Sequence, residues 1–271
     1  MRKSLIALSA LAATAMPTFA ADYSDGDIHK NDYKWMQFNL MYSINEAPRD
    51  ADADSNVHDF LEMEFGGRSG IFDLYGYVDI FNLADRDSSD KSDATEKAKS
   101  YMKFAPRMSL DGLTGKDLSI GAIKEVYVAT LFSWGGGAND NVNNAFVGLG
   151  ADVMVPWFGK VGVNTYALYD INQKDWNGYQ ASVNWFKPFF FFENESFISY
   201  QGYIDWQFGM RESMGAGVSD GGAMYNGIHW HSNQYSVGYG LKTYKNIYGI
   251  QDSSGFVSTG FSHYITAAYK F

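Results

Sequence analysis

Carboxylates and phenols recur at every second residue in two neighbouring stretches, Glu62 and Glu64 in LEMEF and then Asp73, Tyr75, Tyr77 and Asp79 in DLYGYVDIF. The same spacing later groups Lys103 with Arg107, Glu125 with Tyr127, and Gln201 with Tyr203 and Asp205. Side chains alternate across a strand, so each file shares one face. Acids, bases and flat rings on a common face suit weak recognition of a hydroxyl-rich, ring-bearing solute. The charges exchange hydrogen bonds with it, and stacking a base on an aromatic ring contributes roughly 1–3 kcal/mol. The same pattern also suits groups that only brace and plug a small barrel, and periodicity leaves both readings open.

The residues between these files are apolar: Leu61, Met63 and Phe65, then Leu74, Val78 and Ile80, then Met102, Phe104 and Met108. Carboxylates facing lipid are costly, so the polar files point into a lumen. Asp152, the set Gln180, Ser182 and Asn184, and Lys242 with Tyr244 extend that inner face.

The elements that carry these files read as strands. At the end of the chain Phe261, His263, Ile265, Ala267, Tyr269 and Phe271 share one face, while Ser262, Tyr264, Thr266 and Lys270 share the other. That is a final barrel strand with an apolar outer face, ending in Phe. Twelve such segments are expected, near 34–43, 58–67, 71–81, 100–110, 122–133, 145–155, 160–170, 176–187, 195–208, 223–231, 234–246 and 259–271. The fold class is therefore all-β, a 12-stranded antiparallel transmembrane β-barrel. Long polar connections at 49–57 and 82–99 alternate with short ones at 68–70 and 156–159, which puts the odd-numbered connections outside the cell.

Residues 1–20 read as a secretory signal: Arg2 and Lys3, an apolar run from Leu5 to Met16, and a small-residue site ending at Ala20. Residues 21–271 form the barrel, and no later run approaches the ~20 apolar residues of a membrane helix. The full chain has a net charge of −10, and loss of Arg2 and Lys3 takes it to −12, which argues against nucleic-acid binding. With no cysteine, there is no disulfide framework in an exported chain. A count of 20 Phe, 19 Tyr and 7 Trp beside a mean hydropathy of −0.27 fits alternating lipid and lumen faces with aromatic girdles.

Other motifs carry less. His229 and His231 share a face but lack a third ligand at zinc spacing, so a hydrogen-bonded rim pair is expected. Ser262 and His263 fall on opposite faces and cannot act as nucleophile and base. The run DADADSN from Asp50 has Ser55 and Leu61 where a calcium loop needs Gly and Glu, leaving only loose divalent binding near lipopolysaccharide. Gly148 and Gly150 lie within a strand, so GLGAD is no dinucleotide loop; small residues there leave room in the lumen or let another side chain fit. The run Pro188–Phe192 reads as an interface girdle or apolar inner turn. No enzyme activity, metal or cofactor is expected.

The stretches HDFLEMEFGG, DLYGYVD, YMKFAPRMSLDGLTGKDLSIGAIKEVYVA, FVGLGADV and DWNGYQASVNWFKPF resemble the Tsx nucleoside-specific channel family across essentially the whole chain. The resemblance implies a monomeric outer-membrane barrel through which nucleosides diffuse passively. It assigns the solute-contacting role to Glu62, Glu64, Asp73, Tyr75, Tyr77, Asp79, Arg107, Glu125 and Tyr127. Alternation adds Lys103, Tyr203 and Asp205. Family members with nucleoside selectivity carry basic residues where this chain has Gln180, Ser182 and Asn184, and acidic ones just before the Pro-Arg pair, where it has Lys103 and Ala105. One branch resembles phage receptors, which points to a second role in which the loops at 82–99, 135–144 and 210–222 dock bacteriophage or host. Outer-membrane lipid and lipopolysaccharide are the remaining expected partners.

Overall fold

The computed structural model describes residues 21–52, 56–83, 99–136 and 142–271. Twelve barrel strands follow in chain order. They are β1 (Tyr33–Ile44), β2 (Val57–Ser69), β3 (Phe72–Phe81), β4 in two pieces (Ser100–Phe104 and Arg107–Ser109), β5 (Ile123–Gly136) and β6 (Asn143–Val155). The series continues with β7 (Gly159–Asp170), β8 (Asp175–Phe191), β9 (Phe197–Phe208), β10 (Asp220–His231), β11 (Tyr235–Lys245) and β12 (Gly260–Lys270). Each pairs antiparallel with its sequence neighbour. The sheet closes where β12 returns to β1, with Phe38 opposite Tyr269 and Ile44 opposite His263. Closure leaves no strand edge unpaired.

The alternation read from the sequence is the alternation of the wall. Leu40, Leu149, Val237, Phe261 and Ile265 stand exposed on the outside, whereas Asn39, Ser262, Tyr264 and Thr266 are buried inside. A band of exposed large apolar side chains is a liability in water and the matching surface in hydrocarbon. No described helix is long and apolar enough to cross a membrane. Phe189, Phe190 and Phe191 are exposed at the end of β8, beyond a register shift at Pro188, which favours the girdle reading of that run.

Pro106 interrupts β4 because it has no N–H for the ladder. The register is unchanged on either side, Phe104 facing Phe132 and Arg107 facing Ala129, so Lys103 and Arg107 keep the same face.

The two ends of the barrel are closed off differently. At the outer end, Arg49–Asp50 in the first connection pairs with Phe256–Val257 in the last, tying the two loops together. Residues 53–55, 84–98 and 137–141, which hold most of one expected docking loop, half of another and part of the acidic run, lie outside the described residues. The connection at 171–174 is short although it is at the outer end. At the inner end, the longest turn holds helix α1 (Leu110–Thr114), whose Ser109 hydroxyl accepts from the Gly112 amide and whose C-cap Gly115 has φ 64°.

Candidate functional site: the lumen

The twelve residues expected in the lumen do point inward, but at two depths with different surroundings. Asp73, Arg107, Glu125 and Tyr127 lie at the inner end and are bonded to one another and to residues the reading did not include. Arg68 on β2 reaches Glu125 on β5 through a two-pronged contact of 2.7 and 3.1 Å and donates to the Tyr127 hydroxyl at 2.8 Å. Tyr127 donates to Asp152 at 3.1 Å, and Asp152 pairs with Arg107 at 2.9 Å and with Lys160 at 3.2 Å. Arg107 also pairs with Asp73 and lies over the Tyr127 ring, 4.0 Å from its centre. Three cations and three carboxylates therefore balance in one network, the arrangement that buried charges require.

The amino-terminal segment seals this network from below. Tyr23 is buried, accepts from Arg68 at 2.6 Å and donates to Glu125 at 3.4 Å, and burial pushes its phenol pKa up. Its ring packs against Gly112, where a Cβ would come within 2.8 Å. Asp32 accepts from the Gly70 amide at 2.7 Å and so pins the segment to the β2–β3 turn. The Asp32 carboxyl is held below its usual value by His29 first and that amide second.

One side of the lumen above the network is filled. Ala129, Leu131, Phe146, Tyr166 and Leu168 form a buried apolar cluster on β5, β6 and β7, with Ala105 against it. Gly150 makes room here: a Cβ would meet the Asn164 side-chain oxygen at 2.3 Å, so a neighbouring side chain uses the space.

The other eight expected residues line the remaining side. Glu62 accepts from Asn39 at 2.5 Å, and Glu64 accepts from Asn39, Gln37 and Tyr75 at 3.1, 2.7 and 2.9 Å. Asp79 stands opposite Glu62 in the register. These neutral donors fix the orientation of the Glu62 and Glu64 carboxyl groups. Tyr75, Tyr77 and Tyr101 form a file of rings about 6 Å apart, at 6.2 and 6.0 Å. A second file faces it: Tyr203 and Tyr225 are stacked at 5.9 Å and 17°, and Tyr264 meets Tyr225 edge-on at 6.0 Å. Lys242 is set among Tyr203, Tyr244 and Tyr264, 5.2–5.9 Å from each ring centre.

Glycines on the wall let rings lie flat. A Cβ on Gly240 would come within 2.2 Å of the Tyr225 ring, and one on Gly238 within 2.1 Å of His229. The histidines have ordinary partners: His231 with Ser199 at 2.8 Å and Lys270 at 3.1 Å, and His229 with Tyr225 at 3.1 Å. His263 points outward to the Tyr239 hydroxyl, away from Ser262.

A closed twelve-stranded barrel with this lumen is what the family comparison explains. A profile of the nucleoside-specific channel-forming protein Tsx matches residues 30–271. The chain belongs to the Tsx family. It is 67% identical over 271 residues to outer membrane protein OmpK of Vibrio parahaemolyticus, covering all of both chains. It is 29% identical over 297 positions to the nucleoside-specific channel-forming protein Tsx of Salmonella typhimurium, again over all of both. Among solved structures, the NanC porin superposes with a TM-score of 0.49 at 6% identity, covering 87% of this chain and 100% of that one. This Tsx-family barrel is a channel-forming outer-membrane protein, and its family is one of channels.

Several lumen residues lie outside the charged and aromatic files that alternation picks out. Gln37 and Asn39 alternate on β1 as clearly as the carboxylates they hold, and that period was the available signal. Arg68 sits at a strand end and reads as part of a turn. Tyr23 precedes the first strand, and no local pattern marks it.

Proposed function

We propose that the protein passes nucleosides by passive diffusion along the side of the lumen lined by β9–β12 and β1–β3. The reading rests on one arrangement: two files of tyrosine rings beside the oriented carboxyl groups of Glu62 and Glu64. A base stacks on the rings while ribose hydroxyls donate to the carboxylates. Each contact is weak, as passage requires. The 29%-identical relative, a nucleoside-specific channel-forming protein, points the same way. Because Gln180, Ser182 and Asn184 stand where selective family members carry basic residues, the lumen field is rearranged, and this reading relies on the β2–β3 carboxyl groups instead. In a planar bilayer, adenosine and thymidine should block the ion current saturably while a sugar of similar size does not. Equal block by all three, or none, rejects nucleoside selectivity.

A second role at the outer surface is favoured by contacts that join three connections: Arg49–Asp50 pairs with Phe256–Val257, and the Gly217 and Val218 amides donate to the Gly249 carbonyl. That surface suits docking of a bacteriophage. Exchange of the 210–222 loop should abolish adsorption and leave nucleoside block intact; adsorption that survives exchange of every outer loop rejects this role.

A further inference from the structure

Lys103 and Asp205 meet at 2.9 Å although their strands, β4 and β9, are five apart in a ring of twelve. Other long ion pairs turn a smaller arc: Arg68 to Glu125 spans three strands and Arg107 to Asp152 spans two. The Lys103–Asp205 contact therefore crosses the lumen almost along a diameter. We propose that this pair is the constriction that sets which solutes pass, impeding bare ions of either sign and yielding to neutral solutes that replace both of its partners.

The two halves are built differently. Asp205 is fixed, accepting from Ser182 at 2.5 Å and from Gln180 at 3.4 Å. Lys103 is the movable half, a long flexible arm whose ammonium lies 5.8 Å from the centre of the Tyr203 ring. Both side chains keep about a fifth of their surface accessible, 18% and 22%, so the pair faces the lumen and is not sealed in the wall. Ion pairs that water reaches are weak and open readily. A cation passing beside the pair meets the charge of Lys103, and an anion meets the charge of Asp205. A neutral solute that offers an acceptor to the ammonium and a donor to the carboxylate substitutes for both ends at once. Stacking on Tyr203 places such a solute beside the pair.

This inference rests on the channel reading and is independent of which neutral solute is carried. The test uses full-length mature protein refolded into planar bilayers under a KCl gradient, comparing Lys103→Met, Asp205→Asn and the exchanged double variant Lys103→Asp with Asp205→Lys. Asp205→Asn changes no volume, and retention of the barrel is checked by heat-modifiable gel mobility. Each single variant should raise conductance by roughly twofold or more. The reversal potential should move toward cation selectivity in Lys103→Met and toward anion selectivity in Asp205→Asn. The exchanged double variant should return both readings toward the wild type. A wild type that is silent while the single variants conduct also supports the pair as the constriction. Unchanged conductance in both single variants, shifts of the same sign, or an exchanged variant no closer to wild type than the singles overturns it. Nucleoside block is read separately, so a conducting wild type without nucleoside block rejects the solute assignment while leaving this test intact.

Discussion

Arg68 and Glu125 are joined across the inner end of the barrel by two hydrogen bonds, 2.7 and 3.1 Å, between strands that do not touch in the sheet. Both are almost fully buried. Removal of one partner from such a pair leaves an uncompensated charge and costs about 3–5 kcal/mol. Arg68→Ala should lower the stability of the refolded barrel by that amount in denaturant unfolding, whereas nucleoside block of the surviving folded channels should be retained. If block and stability fall together, the inner network takes part in solute binding and is not only a brace.

Tyr203 and Tyr225 offer parallel faces on adjacent strands. Tyr203→Ala and Tyr225→Ala should each weaken nucleoside block by about tenfold, from the ~1–3 kcal/mol of one base–ring stack. Tyr75→Ala and Tyr77→Ala should act in the same direction. Phe at any of these positions should keep the stack. A titration of current block against nucleoside concentration measures each shift.

Gly240 is the floor on which the Tyr225 ring lies. Gly240→Val should lift that ring into the lumen, lowering single-channel conductance and disturbing the stack with Tyr203, while the strand pairing of β10 and β11 remains. Conductance equal to the wild type would show that the ring has room to move elsewhere.

Asp252 in the last outer loop accepts from the Ser258 and Thr259 amides at 2.8 and 2.9 Å. These bonds, the Ser258 amide first, hold its carboxyl below the usual carboxylate value. A depressed folded pKa stabilises the loop above the unfolded value of about 3.9 and loses that contribution as pH falls through the lower folded value. Hydrogen-exchange protection of Ser258 and Thr259 should therefore decline below about pH 4 in the wild type. In Asp252→Ala it should be low at every pH.

The fold was legible because closure and alternation are written locally. Every strand expected from period two is present, and the faces assigned to Glu62, Glu64, Tyr75, Tyr77 and Asp205 are those observed. The site was only partly legible, since period two tells which way a side chain points but not how deep it lies or what it meets across the ring. That is why Asp73, Arg107, Glu125 and Tyr127 read like Glu64 or Tyr203, although the structure commits them to one another. The contact between Lys103 and Asp205 has no local signature at all, since 102 residues separate them. Asn39 and Gln37 were within reach of the same alternation argument, while Tyr23 was not.

The seat of Tyr23 has a consequence for the order of assembly. Its partners come from β2, β5 and the turn after β4, so its binding place does not exist until those strands have been brought side by side. The first residues described in the chain are thus among the last that can settle. Their place lies at the inner end of the barrel, which makes a seated Tyr23 a chemical marker of completed strand assembly.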